Sequence, residues 1–444
     1  MNWRINWWLL PLLAWVASLQ GKPPNFVFVI ADDLGWGDVG FHGGSAPTPN
    51  LDKLAKGSLE LTQHYVAPVC SPTRVGLLTG RCWSRFGVTT PVNTLALPMG
   101  TETLPSALKS VGYETFLAGK WHLGSLPQWG PQHFGFDHSY GSLAGGITAW
   151  THLYKNGKYS VTWHRNGKLV EEEGHVTDLL AAETVRWIES RGKNPFFAYV
   201  PFTAVHLPVN EPQEWLSKVP PTITSEIGRQ YAACIMHMDD AIGQILAALE
   251  KKGVRENTVF VFTSDNGGSW ATNNTQPYPK DESPPGKIPA DNGSFRGQKG
   301  EVYEGGTRVP TLVSWPGKVC PGKEGTPVFI GEWMLTFCNL AGYKPAKNLD
   351  WDGVDLTPLL RDKTPIPNRQ IYIAGIRSRA VSLRSGHWKL VVKSNAKTHE
   401  FYNIQADPSE KNNLAGQEPT RLQTLLAELK AMQAKDNDSV VKPQ

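Results

Sequence analysis

Four short apolar runs, each breaking off in polar residues, constrain this chain more than any other feature. "NFVFVIADD" (25–33) closes on Asp32 and Asp33, and "ETFLAGKWHLG" (114–124) closes on Lys120 and His122. "PFFAYVPFTAVHLP" (195–208) ends at His206, and "NTVFVFTSDNGG" (257–268) ends at Asp265 and Asn266. Between them lie helical patterns over 103–110, stopped by Gly112, over 176–190, and over 229–252, ending at Gly253. Such an alternation predicts an α/β fold with a mostly parallel sheet covered by helices on both faces. Ligands of open α/β sheets sit outside the carboxyl ends of the strands, so all four runs deliver their polar residues to one rim. Randomly placed polar residues would be divided between the two rims.

The remainder of the chain organises around that sheet. Residues 270–294, rich in Pro, Asn and Gly, read as a long loop overhanging the rim. From about 367 the pattern changes to an alternating strand over 380–392 and an amphipathic helix over 418–435, a small α+β unit. At the other end, Arg4 precedes an apolar stretch of about 11 residues and then small residues, the layout of an export signal. Crossing a bilayer takes roughly 20 apolar residues, and no later segment reads as long and apolar enough. The expected organisation is therefore a signal over 1–20, a catalytic domain over 21–366 and an α+β subdomain over 367–444. The expected destination is the periplasm, the exterior or a lysosome, without stable membrane insertion; a short uncleaved anchor is the alternative. Three N-x-S/T sequons, at Asn273, Asn292 and Asn437, matter only in a host that glycosylates.

A net charge of +4 from 44 basic and 40 acidic residues lacks the basic excess of a nucleic-acid binder. Five cysteines, Cys70, Cys82, Cys234, Cys320 and Cys338, are too sparse for a disulfide scaffold and lack the close pairs of zinc sites. Their odd number leaves at least one thiol free. In an oxidising compartment Cys70 then needs either a task or burial.

The rim residues suggest what that task is. Asp32, Asp33, Asp265 and Asn266 form a hard oxygen set suited to Ca²⁺, which tolerates a crowded irregular shell, more than to Mg²⁺ or Zn²⁺. Arg74, Lys120 and Lys299 add cations, and with a divalent ion the pocket is positive before His122 and His206 are counted. Such a pocket calls for an anion. Cys70 stands before a predicted helix that Ser71 is expected to cap and Pro72 to begin, and a helix amino terminus also favours an anion. A thiolate, however, matches a hard cation poorly.

"CSPTRVGLLTGR" (70–81) resembles the signature of the type I sulfatases, C-x-P-x-R followed by an apolar helix and T-G-R. In that family the cysteine is oxidised to formylglycine. "ADDLGWGD" (31–38), "TPNLDKLAKGS" (48–58), "GYETFLAGKWHLG" (112–124), "TSDNGG" (263–268), "RGQKGEVYEGGTRVP" (296–310) and "FYNIQADPSEKNNLA" (401–415) match family blocks in order. Spacing and "FGFDHSYG" (134–141) make the chain most similar to the arylsulfatase B branch. The resemblance implies an alkaline-phosphatase-like fold and a formylglycine-generating enzyme that reads Pro72 and Arg74 on the unfolded chain. It implies calcium held by Asp32, Asp33, Asp265, Asn266 and the modified Cys70. A hydroxyl of hydrated formylglycine would attack sulfur, with Lys120 and Lys299 on the sulfate oxygens and His206 or Lys299 protonating the leaving oxygen. His122 would then act on the second hydroxyl to release sulfate.

The implied substrate is a sulfated carbohydrate. Trp150, Trp163 and Trp270 are candidates to stack on sugar rings, and His152 and His164 to line the rim. Two other readings stay open: a phosphoester or phosphonate monoester hydrolase of the same superfamily, and a sulfated-glycan-binding protein whose Cys70 is never converted.

Overall fold

The computed structural model describes residues 22–279 and 283–441; the predicted signal over 1–20 lies outside them. Ten strands form one sheet among the described residues: β1 (Asn25–Ala31), β2 (Leu59–Leu61), β3 (Glu114–Lys120), β4 (His138–Ser142), β5 (Trp163–Arg165), β6 (Lys168–Leu169), β7 (Phe196–Pro201), β8 (Thr258–Ser264), β9 (Leu312–Ser314) and β10 (Gly322–Glu324). Its centre, in the order β8-β1-β7-β3-β4, is wholly parallel. Antiparallel pairings bring β9 and β2 to one edge and β5 and β6 to the other. The α/β fold with a mostly parallel sheet is as the sequence predicts.

β1 shows why the central runs are continuously apolar. Phe26, Phe28 and Ile30 point into one core while Val27, Val29 and Ala31 point into the other, and all are fully buried. The first core is closed by helices α2 (Cys70–Thr79), α3 (Leu104–Ser110) and α6 (Glu332–Leu340), with Phe337 stacked on Phe26 at 4.2 Å. The second is closed by α1 (Pro49–Lys56), α4 (Val176–Glu189) and α5 (Glu226–Lys251). Thr103 caps α3 by accepting from the Ser106 amide, reciprocated by the Ser106 hydroxyl. Helix α5 is, by length and composition, apolar enough to cross a membrane, contrary to expectation, yet its apolar window is mostly buried in this core. A helix covered by a sheet must be apolar for the same reason as one covered by lipid.

Gly119 permits the tight approach that delivers Lys120. At φ +137°, a β-carbon there would stand 1.9 Å from the Pro201 carbonyl oxygen of the neighbouring strand.

The C-terminal part is a four-stranded antiparallel sheet, β11 (Gln370–Ala374), β12 (Ala380–Ser385), β13 (Trp388–Lys393) and β14 (Glu400–Asn403), with α7 (Pro419–Gln433) against it. The single strand predicted over 380–392 is instead the hairpin β12–β13. Gly386, at φ +60°, supplies the turn, and the apolar alternation changes phase there: Leu383 and Trp388 are five positions apart, as the pairs Leu383–Leu390 and Ser385–Trp388 require. The five cysteines form no disulfide; Cys320 is exposed and the other four are buried.

Helix α5 is fixed to the loop that follows His206. His237 Nδ1 meets Glu211 at 2.7 Å and Nε2 meets Asp178 at 2.9 Å, while the ring stacks between Trp215 and His175 at 4.8 and 4.7 Å. His175, Asp178 and His237 lie close enough to share an ion. Both His237 nitrogens already face carboxylates, however, and stacked imidazoles do not converge their lone pairs on one point. The cluster is a charge clamp. Burial opposes protonation of His237, but the two carboxylates overcome it and raise its pKa to about 9. A folded pKa above the unfolded one gives stabilisation that is complete below about pH 6.5 and fades as pH rises through about 9. Urea unfolding is therefore expected to show wild type exceeding His237→Gln by on the order of 3 kcal/mol near pH 6, with the gap closing by pH 10. A pH-independent gap would refute the clamp.

Candidate active site at the carboxyl ends of the sheet

The parallel register sets Ala31 beside Ser264 and Ile30 beside Pro201, so the residues following β1, β7 and β8 leave the sheet together. Asp32, Asp33, Asp265 and Asn266 are all buried there, none more than 3% exposed. Every carboxylate meets a cation. Lys120 Nζ lies 2.5 Å from Asp32 Oδ2, Lys299 Nζ 2.7 Å from Asp33 Oδ2, and Arg74 Nη2 2.8 Å from Asp265 Oδ2. Asn266 Nδ2 donates to Asp33 Oδ1 at 2.8 Å, and His206 Nε2 stands 3.8 Å from Asp33 Oδ2.

These contacts leave two acceptors stranded. Asp32 Oδ1 and Asn266 Oδ1 are buried and have no hydrogen-bond partner. An unpaired buried acceptor is costly, and an all-oxygen set with two free acceptors fits a hard divalent cation. Asp32, Asp33, Asp265 and Asn266 are the residues able to hold one. Burial and the Asp265 charge push the Asp32 pKa well up against the pull of Lys120, as carboxylates crowded together without a metal must. For Asp33 burial acts in the same upward sense but is outweighed by Lys299, His206 and Lys120, which hold its carboxyl well below the usual range.

Cys70 opens α2 and faces this cluster. Burial raises its thiol pKa while Lys120 and Lys299 draw it down. The expected Ser71 cap is not formed: the helix starts at Cys70 itself, and no side chain at Val69 caps it. Ser71 Oγ instead donates to the His122 carbonyl at 2.8 Å and accepts from the Val92 amide, while Thr73 Oγ1 donates to the Asp265 carbonyl at 2.6 Å. The two unspecified positions of C-x-P-x-R thus tie the helix to both flanking strand ends. Pattern reading gave Ser71 a capping role and Thr73 none, because their actual partners are backbone groups from elsewhere in the chain. Arg74 is wholly buried and also donates to the Lys120 carbonyl at 2.6 Å and to Tyr199, a residue without any sequence signal.

His122 and His206 complete the ring. Burial first, then the charges of Lys120 for His122 and Lys299 for His206, lower both pKa values well below the ordinary range, so both rings are neutral. Asp33 and His122 adopt left-handed backbone, φ +65° and +56°, the strained type of conformation that clusters at working sites. The pair Gly145–Gly146 was missed from sequence. A β-carbon at Gly145 would lie 2.2 Å from His122 Nε2, and one at Gly146 3.1 Å from His206, so neither ring could keep its place beneath a larger residue.

Other candidates divide. Trp163, His152 and His164 are buried rather than on the rim; Trp163 stacks on His152 at 4.6 Å, and burial depresses the His164 pKa to about 4. Trp163 Nε1 donates to Glu172 at 3.0 Å and His152 Nε2 meets the Gly174 carbonyl at 3.0 Å, so the segment that follows β6 holds both rings inward. Trp150 and Trp270 remain about two-fifths exposed. Sequon residues Asn273 and Asn292 are buried and hydrogen-bond the 209, 284 and 268 backbone, which leaves no room for a glycan; Asn437 is exposed. The 270–294 loop does reach the site, with Tyr278 Oη 2.6 Å from where a Gly146 β-carbon would be.

A family profile described as Sulfatase matches residues 24–343, and one described as N-sulphoglucosamine sulphohydrolase, C-terminal, matches 294–437. N-acetylgalactosamine-6-sulfatase of Rattus norvegicus is 33% identical over 403 residues, covering 84% of this chain and 73% of its own. Arylsulfatase A of Homo sapiens is 31% identical, covering 93% and 89%. The crystal structure of Ps i-CgsB in complex with k-i-k-neocarrahexaose superposes with a TM-score of 0.84 at 30% identity, covering 95% of this chain and 96% of that one. With the sulfatase match running through every strand end that builds the site, the chain belongs to the sulfatase family and is a sulfuric ester hydrolase.

Proposed function

We propose that this enzyme removes sulfate from a sulfated carbohydrate, with formylglycine made from Cys70 and a bound calcium ion. The observation that carries the reading is the pair of buried, partnerless oxygens on Asp32 and Asn266, set among three ion-paired carboxylates beside Cys70. Names of similar proteins support the substrate class: one acts on N-acetylgalactosamine-6-sulfate, and another is held with a neocarrahexaose.

Calcium, held by Asp32, Asp33, Asp265, Asn266 and residue 70, would supply positive charge for the sulfate oxygens. Hydrated formylglycine would supply an oxygen nucleophile, and a second hydroxyl through which sulfate departs. The chain's own groups do the rest. Lys120, fully buried, and Lys299, partly exposed, neutralise the sulfate oxygens that gain charge at the transition state. Arg74 holds Asp265 and is too enclosed to reach substrate. Lys299, a cation beside Asp33, is charged to hand a proton to the leaving oxygen; His206, also beside Asp33, would do so only after gaining a proton that burial in the pocket disfavours. His122, its pKa lowered by burial and its Nδ1 unpartnered, would accept the proton from that second hydroxyl as sulfate leaves residue 70. The catalytic unit we assign to 21–366 and the α+β subdomain to 367–444, in an exported protein processed by a formylglycine-generating enzyme.

Protein from its native host is expected to yield a residue-70 peptide lighter than the cysteine form, and to hydrolyse an aryl sulfate at least about 10²-fold better than the matching aryl phosphate. Cys70→Ala is expected to lose at least about 10⁴-fold in turnover. An unmodified thiol together with undiminished Cys70→Ala activity would overturn the scheme; preference for the phosphate would favour a phosphoester hydrolase.

Calcium makes a separate mark on stability. After chelation, calcium at about 100 times its Kd is expected to add about 2.7 kcal/mol, read as a higher melting temperature. Asn266→Ala should blunt that shift, and magnesium should produce a smaller one. No shift in wild type would remove calcium from the proposal.

A further inference from the structure

Two loops meet over the mouth of the pocket. One follows β4 and carries Gly145, Gly146, Tyr154 and Lys155; the other follows β8 and carries Tyr278. They are joined by the Asn156 amide donating to the Pro277 carbonyl at 2.9 Å and by the Tyr154 and Tyr278 rings, edge to face at 5.9 Å. Lys155 Nζ lies over both rings, 5.6 Å from one centroid and 5.5 Å from the other. Tyr278 in turn stands beside Gly146 and so beside His206. The lysine and its aromatic seat therefore border the site without belonging to its floor.

Lys155 is half-buried, and among the described residues no carboxylate lies within ion-pairing distance of it. Burial and the charges of Lys299 and Lys120 disfavour its protonated form, while Cys70 favours it. The three lysines are thus near enough to repel one another. The two deeper ones are each matched by an aspartate; among the described residues Lys155 has only the faces of two tyrosines, worth about 0.5–2 kcal/mol. A cation kept so near a positive pocket, with no anion from the described residues, suits an anion that arrives with the substrate. Lys120 and Lys299 already serve the sulfate that is cleaved, so the anion for Lys155 must be a different one. The two rings beside it, each partly exposed, offer apolar surface of the kind on which a sugar face packs.

We propose that Lys155, seated on Tyr154 and Tyr278, is a specificity-determining residue that reads a second anionic substituent, sulfate or carboxylate, on the saccharide carrying the scissile sulfate. The preferred substrate is then a polyanionic oligosaccharide and not a singly sulfated sugar. This rests on the sulfated-carbohydrate reading above.

The test compares wild type, Lys155→Ala and Lys155→Arg on matched saccharides carrying the scissile sulfate alone, with a second sulfate, or with a uronate. For Lys155→Ala the KM on at least one doubly charged saccharide is expected to rise about 10-fold more than on the singly charged one. The kcat is expected to change little, and Lys155→Arg is expected to recover most of the loss. Which doubly charged saccharide suffers tells sulfate from carboxylate. Equal losses on all three saccharides, or none on any, would overturn the proposal. Binding of the same saccharides to Cys70→Ala protein, with and without Lys155→Ala, provides an arm that needs no turnover. Should wild type hydrolyse no sulfate ester, the sulfatase reading fails, and this binding ratio alone still decides for or against Lys155.

Discussion

Burying three carboxylates at the ends of adjacent strands is the constraint on which this structure turns. An isolated buried carboxylate costs several kcal/mol, and Asp32, Asp33 and Asp265 sit within one shell, repelling each other. The fold supports them because each is paired with a cation delivered from a different place: Lys120 from β3, Lys299 from the loop before Arg308, and Arg74 from helix α2. Removing one partner of such a pair typically costs about 3–5 kcal/mol because the survivor remains buried and unpaired. Placement of the catalytic groups and stability of the sheet's carboxyl end are therefore one problem. A strand that shifted by a residue would lose its catalytic side chain and strand its neighbour's charge together.

That coupling gives the C-terminal sheet a part in the site. Arg296, three residues before Lys299, is held by Glu400 at 3.1 Å, Tyr402 at 2.9 Å and Tyr303 at 3.0 Å. Five residues after Lys299, the buried Glu304 meets Lys389 at 2.8 Å and Tyr65 at 2.7 Å, and its amide donates to Glu410 at 2.7 Å. Lys389 sits on β13, and Glu400 and Tyr402 on β14. The loop bearing Lys299 is thus clamped on both flanks by residues some hundred positions downstream. The sheet touches no catalytic atom, yet it fixes where one cation stands.

What the sequence disclosed, and what it hid, follows from the range of the interactions concerned. The four central strands were legible because burial on both faces leaves no polar position, and their ends were legible because polarity returns abruptly at Asp32, Lys120, His206 and Asp265. The C-terminal hairpin was misread as one strand because each half alternates, and the turn at Gly386 is marked only by the change of phase between Leu383 and Trp388. Ser71 looked like a cap since local hydrogen bonding is the usual role of such a residue before an apolar helix. Its actual partners, at His122 and Val92, are 51 and 21 residues away. Trp163 and His152 seemed free to line the rim because their partners, Glu172 and the Gly174 carbonyl, lie beyond the hairpin β5–β6. Gly145 and Gly146 were visible as letters, but the rings that forbid a side chain there belong to two other strand ends.

Floor and rim accordingly obey different rules. Groups on the floor, Asp32, Asp33, Asp265, Asn266, Lys120 and Arg74, are fixed by backbone that leaves a strand or helix and by partners that are themselves charged and buried. Changing any one of them alters the charge balance of all. Groups on the rim, Trp150, Lys155, Trp270 and Tyr278, stand on loops, all partly exposed, and touch the floor through two glycines and a tyrosine. Altering one of these leaves the buried ion pairs as they are. Chemistry that requires a fixed cluster of charge and recognition that must suit a particular saccharide are thus carried by separable parts of the chain, and the Gly145–Gly146 pair is where the two come into contact.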